Sequence, residues 1–217
     1  MLEKMAAFFE ARLADYDAHM LRDIESATEF YPFTAACLPA EAGAEILDLG
    51  CGTGLELEFY FPLNPTAKVT GVDLSEGMLS ALAEKFPHRY LTLRRGSYFD
   101  LPFGEGIYSA AVSVESLHHF TAEEKTALYR KVCRALTPGG YLILTDYFAP
   151  TEAEEILYRG ELLRLKAEQG ITDEEFYHYD TPLTVEHETE ALLAGGFVRV
   201  DVLGKWGNTL CLRASKA

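Results

Sequence analysis

Glu45-Ile-Leu-Asp-Leu-Gly-Cys-Gly-Thr-Gly54 is the stretch that decides the fold. Its apolar half, residues 46–49, predicts a β-strand, and three glycines follow at alternate positions. Glycine has no Cβ, so the backbone can turn sharply there and approach a ligand closely. A strand that ends in such a loop and leads into a helix is how open α/β sheets bind nucleotide-like ligands. The stretch therefore predicts a ligand-binding turn at the end of the first strand.

The composition indicates one domain with a substantial core and an acidic surface. The chain has 217 residues, of which 48% are hydrophobic, and its formal net charge is −15. A length near 200 residues is typical of a single domain. Binding to nucleic acid depends on Lys and Arg facing phosphates, and no basic cluster is present. We therefore expect a small-molecule substrate, with no nucleic acid and no membrane as partner.

The cysteines predict a reduced, cytoplasmic protein. They stand at positions 37, 51, 133 and 211, without any Cys-x-x-Cys pair. This scatter fits neither a disulfide framework nor a cysteine zinc site, so no metal is expected. The first ten residues carry acidic groups and lack a long apolar run, which is unlike a signal peptide. The sequence leaves the oligomeric state open and is compatible with a homodimer.

Strands and helices alternate through the middle of the chain. The predicted strands are 44–49, 69–73, 90–94, 108–114 and 141–146, and the helices cover 55–61, 76–86 and a segment capped by Thr121. The segment 55–61 also alternates like a strand, but a glycine loop around a ligand needs a helix to follow it. The turn Pro138-Gly139-Gly140 precedes the fifth strand. Such alternation predicts a parallel, doubly wound sheet.

The regions before and after this core do not alternate between strand and helix. Residues 2–38 are predicted to be helical, and we expect Pro32 to divide them into at least two helices. After the fifth strand we predict a helix from Thr151 to about residue 169, a short helix that starts with Thr172-Asp-Glu-Glu175, and another at 184–194. Two strands, 197–203 and 209–213, should then form an antiparallel pair at one sheet edge.

The spacing of the glycines discriminates between ligands. Dinucleotide cofactors require G-x-G-x-x-G, whereas the third glycine here comes one residue early, at Gly54. Asp48 lies in an apolar strand end, where an acid is costly to bury without a partner such as a ligand ammonium or loop amides. Asp73 ends the second strand about 20 residues beyond the glycines, where an acid can bind ribose hydroxyls.

Four ordered motifs together resemble the class I S-adenosylmethionine-dependent methyltransferases. They are Leu47-Asp-Leu-Gly-Cys-Gly-Thr-Gly54, Gly71-Val-Asp-Leu-Ser75 with Met78, Asp100-Leu-Pro-Phe103 and Leu136-Thr-Pro-Gly-Gly-Tyr-Leu142. The resemblance covers about residues 44–147. It implies a Rossmann-like, seven-stranded mixed sheet with the last strand antiparallel and with helical lid elements before and after the core.

This fold implies a single methyltransferase domain over residues 1–217. Its parts would be N-terminal helices at 1–43, a cofactor-binding core at 44–147, a helical insertion or cap at 148–194 and edge strands at 195–217. The cofactor implied by the family is S-adenosyl-L-methionine.

The resemblance also implies roles for individual residues around the cofactor. At the methionine end, the backbone of the loop at Gly50, Cys51, Gly52 and Gly54 would follow the cofactor, and Asp48 would lie near its amino group. At the nucleoside end, the expected residues are Asp73 for the ribose, Leu74 and Met78 beside the adenine, and Ser97 or the amide of Tyr98 for the adenine amino group. Relatives often carry an acid at the position of Ser97, so this last interaction should be weaker here.

Residues for the acceptor side are less well defined by the family pattern. The segment Val114-Glu-Ser-Leu-His-His119 follows the fourth strand, where the family places residues against the methyl donor and acceptor. We predict Glu115 near the cofactor, His119 ahead of His118 as a base, and Tyr16 as a lid residue. The alternatives are ring packing for the histidines and for Tyr16, and solvation for Glu115.

Three functions therefore remain open, with transfer of a methyl group to a small molecule preferred. A second is modification of a macromolecule or of the cofactor itself. Residues 165–175 and 185–197 resemble the tail of carboxy-S-adenosylmethionine synthase, but Ala191 stands where that enzyme uses an arginine. A third is cofactor binding without catalysis.

Overall fold

A seven-stranded mixed sheet forms the centre of the protein. The structure is a computed structural model that describes residues 1–173 and 175–217. The strand order is β3-β2-β1-β4-β5-β7-β6, with the first five strands parallel and β7 antiparallel to both of its neighbours. The strands are β1 Glu45–Leu49, β2 Lys68–Asp73, β3 Tyr90–Arg95, β4 Tyr108–Val114, β5 Leu136–Tyr147, β6 Arg199–Trp206 and β7 Thr209–Ser215. The predicted fold class is confirmed, including the antiparallel pair at the edge.

Helices cover both faces of this sheet. They are α1 Met5–Arg12, α2 Tyr16–Asp23, α3 Ala27–Ala36, α4 Leu55–Leu63, α5 Glu76–Lys85, α6 Ala122–Ala135, α7 Glu152–Glu168 and α8 Val185–Ala194, with a 3₁₀ turn at Leu13–Asp15. The helix expected after the glycine loop is present as α4. Its neighbour α5 begins as predicted, with the Ser75 hydroxyl accepting from the amide of Met78.

Alternating side chains of the buried strands supply two apolar cores. Leu47 and Leu49 of β1 pack into the core that also contains residues of α6 and α8. Ile46 points to the other face, into the core formed with α3, α4 and α5. A strand buried on both faces places its loop at the sheet edge with little freedom to shift. This is what fixes the site at the carboxyl ends of the parallel strands.

Two details of the prediction are wrong. The N-terminal helical region breaks at Ser26, which has φ 59°, rather than at Pro32, which lies inside α3. Proline is tolerated there because it costs one backbone hydrogen bond within a helix that is otherwise held by burial of Phe30 and Tyr31. Pro138-Gly139-Gly140 lies within β5 rather than in a turn before it, so the strand begins earlier than expected. The pairing of β5 with β4 shifts register there, between the pairs Tyr108–Leu136 and Ala110–Tyr141.

The region after β5 also departs from the prediction. The helix α7 begins at the Thr151 cap and Gly170 follows it at φ 65°, as expected. Only Leu162 of α7 is buried, so this helix lies largely on the surface. The described residues 172, 173 and 175 are not helical, and Glu174 lies outside the described residues. Instead, residues 176–184 run back across the strand ends, where Tyr177 pairs with Lys4.

Within the described part of the chain, none of the helices is both long and apolar enough to cross a membrane.

A buried ion pair joins α6 to α8. Lys125 Nζ lies 2.5 Å from Glu188 Oε2, both side chains are almost fully buried, and the hydroxyl of Tyr129 donates to the other carboxylate oxygen. Buried charges are tolerated only when they are paired, so removing one partner costs more than removing both.

We expect Lys125→Met to destabilise the fold by about 3–5 kcal/mol, because Glu188 is left buried without its cation. The double variant Lys125→Met, Glu188→Gln should recover a large part of this loss. Urea unfolding of the three proteins measures both effects. A double variant less stable than the single one would contradict the pairing argument.

Candidate functional site

The glycine loop after β1 adopts a conformation that only glycine enters easily. Gly50, Gly52 and Gly54 have φ values of 72°, 47° and 75°. A Cβ on Gly50 would lie 2.1 Å from Ser116 Oγ, whereas one on Gly52 would meet only the Tyr16 ring, at 3.9 Å. The loop therefore packs against the end of β4 on one side and presents open backbone towards Tyr16 on the other. A ligand can approach the main chain closely at Gly52.

Two buried acids lie beneath the loop. Asp48 and Glu56 are 1% and 5% exposed, and Asp48 Oδ2 and Glu56 Oε1 have no hydrogen-bond partner among the described residues. Burial, together with the neighbouring carboxylate, raises the pKa of Asp48 well above its usual range. Burial also raises the pKa of Glu56, although the neighbouring Asp48 carboxyl opposes the shift. A buried, unsatisfied carboxylate is costly, and a cationic ligand group would relieve that cost.

Asp73 lies at the tip of β2 beside this loop. Its carboxylate accepts from the amide of Gly52 at 3.0 Å and from the amide of Ser75 at 2.8 Å. Burial raises its pKa, while these two amides oppose the shift. A carboxylate has about four acceptor positions, so two remain for hydroxyl groups. Met78 is buried and lines the same cleft, and Leu74 packs against the adjoining core.

Four other predicted residues contribute through packing or backbone in this structure. Cys51 and Tyr98 are buried; a Cβ on Gly71 would lie 2.8 Å from Cys51 Sγ, and the hydroxyl of Tyr98 donates to the Ser116 carbonyl at 3.2 Å. Ser97 Oγ accepts from the amide of Phe99, and Gly54 precedes α4 as its cap. None of the four lines the cleft beneath α1 and α2 or the larger cavity beside it. Their predicted roles towards a cofactor stay predictions.

The N-terminal helices close over the loop. Met5, Phe9 and Tyr16 line a cleft of about 40 Å³ together with Gly50, Gly52 and Asp73. Glu10 fixes α1 to the start of α5 by accepting from Ser75 Oγ at 2.5 Å and from the amide of Gly77 at 3.2 Å. Asp17 of α2 accepts from the Thr53 hydroxyl and from Lys85 Nζ. The first 20 residues therefore form a cover tied to both sides of the glycine loop.

A much larger cavity of about 1050 Å³ opens beside this cleft. Its walls come from α1, α2, the end of β4 and the turn between β6 and β7, with Phe8, Tyr147 and Trp206 among the aromatic residues. Phe9, Tyr16, Glu115 and His119 line both the cleft and the cavity. The two spaces therefore meet at these four side chains. Burial raises the pKa of Glu115 to about 8, with Asp146 adding to the effect.

His118 faces this cavity from a fixed orientation. Its Nδ1 lies 2.5 Å from Asp146 Oδ1, and Asp146 also accepts from the amides of Leu117 and Tyr147. Burial acts to lower the pKa of His118, but Asp146 and Asp180 outweigh it and raise the pKa well above its usual range. A carboxylate that accepts from Nδ1 leaves Nε2 as the ring atom for other chemistry.

The neighbouring His119 is held differently. Its Nδ1 lies 3.1 Å from the Tyr179 carbonyl oxygen and 3.4 Å from Asp180 Oδ1. Burial and the positive His118 lower the pKa of His119 to about 3, so this ring is neutral at neutral pH. A ring with that pKa is a weak base, and the role predicted for His119 stays a prediction.

Four residues of this site were not predicted from the sequence. Asp146 is the residue before the last of β5, as Asp48 is of β1, and Asp73 is the last residue of β2; that pattern of acids at strand tips could have identified Asp146. Glu56 stands in the first turn of α4, where an acid is ordinary. His178 and Asp180 reach the cavity from a segment without regular structure, and no local sequence pattern indicates this.

Comparison with known proteins identifies the core. Residues 46–140 match the family described as a methyltransferase domain. The chain is 30% identical over 145 residues to tRNA (carboxymethyluridine(34)-5-O)-methyltransferase of Arabidopsis thaliana, covering 65% of this chain and 34% of that protein. It is 28% identical over 169 residues to demethylmenaquinone methyltransferase of Desulfitobacterium hafniense, covering 74% of this chain and 66% of that protein. The chain thus spans less than two thirds of the length of these relatives.

Solved structures share the architecture. The S-adenosylmethionine-dependent methyltransferase of Mesorhizobium loti superposes with a TM-score of 0.61 at 23% identity, covering 85% of this chain and 96% of that one. At that level of identity the likeness concerns the fold.

The buried acids under the loop generate a prediction about stability. The raised pKa values of Asp48 and Glu56 mean that the folded chain holds protons that the unfolded chain releases near pH 4. The stability that these bound protons contribute is fully present below that pH. It is lost as the pH rises through the pKa values that the two groups have in the folded chain. Asp48→Asn should therefore raise Tm at pH 8 by a few degrees, since about 1 kcal/mol corresponds to roughly 2–4 °C.

Thermal unfolding between pH 5 and pH 9 tests this, with Asp100→Asn as the control at an exposed carboxyl. The Tm difference between Asp48→Asn and the parent should widen as pH increases. A difference that is constant or shrinks over this range would show that the buried pair carries no such cost.

Proposed function

We propose that this chain, whose residues 46–140 match a methyltransferase domain, is a class I S-adenosylmethionine-dependent methyltransferase that transfers a methyl group from S-adenosylmethionine to a small-molecule acceptor. One observation carries the proposal: the cleft at the glycine loop and the large cavity share Phe9, Tyr16, Glu115 and His119 as walls. A donor along the loop and an acceptor in the cavity would then meet at those four side chains.

The residues of the cleft fit the chemistry of this cofactor. When bound, S-adenosylmethionine supplies a methyl group on a positively charged sulfur. Asp48 is buried beneath the loop and outside the lining of the cleft; its Oδ2 lacks a partner among the described residues and suits an ammonium group. Asp73 keeps two acceptor positions for the ribose hydroxyls after its two loop amides are counted. Gly52 leaves the backbone open for close approach.

A ligand can enter the cleft only if the N-terminal cover moves away from the glycine loop. The cleft holds only about 40 Å³, whereas sites for small molecules and cofactors usually enclose about 300–1,000 Å³. The side chains that fill it belong to α1 and α2, whose ties to the core are a few polar contacts such as Glu10 to Ser75 and Asp17 to Lys85. We therefore propose that this cover opens for the cofactor and closes again to exclude water.

The charge of the chain favours a small acceptor over a nucleic acid. One relative acts on tRNA and another on demethylmenaquinone, according to their names. With a formal net charge of −15, this chain would repel a polynucleotide. The cavity, at about 1050 Å³, is large enough for a drug-sized molecule. Its aromatic walls suit an acceptor with an apolar portion.

The protein's main catalytic task is alignment. Holding the reacting atoms in line and in a dry site supplies a large share of the acceleration for a reaction of this kind. An acceptor that is already a free nucleophile needs no base. An acceptor hydroxyl does need one, and His119, with a pKa of about 3, is poorly suited to remove a proton at neutral pH. Tyr16, with its pKa raised by burial, serves as a wall rather than as an ionised group.

Other functions remain as alternatives to this proposal. They are modification of a macromolecule, modification of the cofactor itself and cofactor binding without catalysis. A cytoplasmic location and a homodimeric state remain part of the proposal; four unpaired cysteines support the location. Transfer of a labelled methyl group distinguishes these alternatives by the class of acceptor that receives the label.

Calorimetry tests cofactor binding. We expect the full chain to bind S-adenosylmethionine and S-adenosylhomocysteine, and Asp73→Ala to weaken both by about tenfold or more, because hydrogen bonds to a charged group contribute about 1.5–3 kcal/mol. Asp201→Ala, an acid of β6 outside both cavities, is the control and should bind like the parent. Binding of NADH without binding of S-adenosylmethionine would refute the cofactor assignment.

A labelled methyl group tests catalysis. Incubation with methyl-labelled S-adenosylmethionine and a small-metabolite extract should move label into a compound smaller than the protein, with Asp73→Ala reducing the rate. Label in tRNA or protein but not in small molecules would favour the macromolecular alternative. Cofactor binding with no transfer to any fraction would favour a non-catalytic binder.

A further inference from the structure

A cluster of three side chains in the cavity wall has the composition and spacing of a metal site. His118, His119 and Asp180 each offer one possible ligand atom, and these atoms lie within 4.8 Å of one another. The two histidines are buried and the aspartate is exposed at the cavity side. Two histidines and one carboxylate are a frequent ligand set for divalent transition metals.

Two separations in the cluster match those that a metal ion requires. Asp180 Oδ1 lies 3.4 Å from His118 Nε2 and 3.4 Å from His119 Nδ1. Ligand atoms about 2.1 Å from a tetrahedral ion are roughly 3.4 Å apart. The Asp180 oxygen is thus spaced from both imidazole nitrogens as it would be around such an ion.

The surroundings of His118 add a second, independent observation. Metal-binding histidines almost always donate their other ring N–H to a carboxylate, which fixes the ring and the ligand nitrogen. His118 Nδ1 lies 2.5 Å from Asp146 Oδ1, and Asp146 is 1% exposed and held by two backbone amides. This support leaves Nε2 facing Asp180. It is a more elaborate arrangement than packing of a histidine ring demands.

From this geometry we infer that His118, His119 and Asp180 bind a divalent transition-metal ion such as Zn²⁺ in the wall of the cavity. Binding requires a proton to leave His118 Nε2. It also requires His119 to carry its proton on Nε2 and to give up the contact of its Nδ1 with the Tyr179 carbonyl. The cysteine pattern does not bear on this site, because none of its ligands is a thiol.

Three protein ligands leave a coordination position open towards the cavity. Metal sites of that kind take water or a substrate oxygen in the open position. Resting on the proposed function, the inference defines the acceptor class: a hydroxyl or enol oxygen whose pKa the ion would lower. The ion would thus promote loss of the acceptor's proton, a step for which His119 is a poor base.

Metal titration of the untagged full chain tests the inference. We expect one equivalent of Zn²⁺ by calorimetry, and one equivalent of Co²⁺ with the intense visible absorption of a low-coordinate site. Asp180→Asn should weaken both by about tenfold or more, since even changes to residues that only support a metal ligand cost about 10–100-fold. Asp180 is exposed, so this variant should fold like the parent, which its Tm checks. Asp173→Asn, on the same segment and outside the cluster, is the matched control.

Two results would overturn the inference: no stoichiometric binding of either ion, or unchanged binding by Asp180→Asn. The same protein is examined for S-adenosylmethionine binding by calorimetry. Cofactor binding without metal binding refutes the metal site alone. Metal binding without cofactor binding refutes the proposed function alone.

Discussion

The reversal of the chain after β1 is the constraint on which the rest of the site depends. The amides of Gly50 and Cys51 both donate to the Val72 carbonyl, at 2.8 and 3.2 Å, which fastens the loop to the tip of β2. This is sterically feasible because Gly50 has a positive φ and no Cβ to meet Ser116. Gly71 is constrained for the same reason, since a Cβ there would collide with Cys51 Sγ. One turn thereby sets the positions of three strand ends.

The concentration of acids around that turn gives the site its electrostatic character. Asp48 and Glu56 are buried, Asp73 and Glu115 are partly buried, and desolvation raises the pKa of each. Such groups oppose folding of the free chain and favour ligands that bring positive charge or hydroxyl donors. A sulfonium compound with an ammonium group and a ribose has both. The cost in stability and the choice of ligand thus have the same physical origin.

The sequence predicts the part of the molecule whose interactions are local. Strand periodicity located β1 to β4 within a residue or two, and Thr121 and Ser75 cap α6 and α5 where expected. The errors fall where tertiary contacts override local preference. Pro32 lies inside α3 because its neighbours are buried, and the described residues 172, 173 and 175 are not helical. Buried partners explain the first case, and pairing with the N-terminal segment the second.

The same division separates the donor half of the site from the acceptor half. The loop, Asp48 and Asp73 all lie on consecutive strands, so any chain that folds this way brings them together. The cavity wall instead joins His118 and His119 to Asp180 across about 60 residues of sequence, through the segment 176–184 and the cover of α1 and α2. The family match at residues 46–140 includes the loop, Asp48, Asp73 and both histidines, whereas Asp180 and the cover of α1 and α2 lie outside it. On the proposed function, the acceptor side is shaped by those outlying segments, and its most distinctive feature is an exposed carboxylate beside two buried imidazoles.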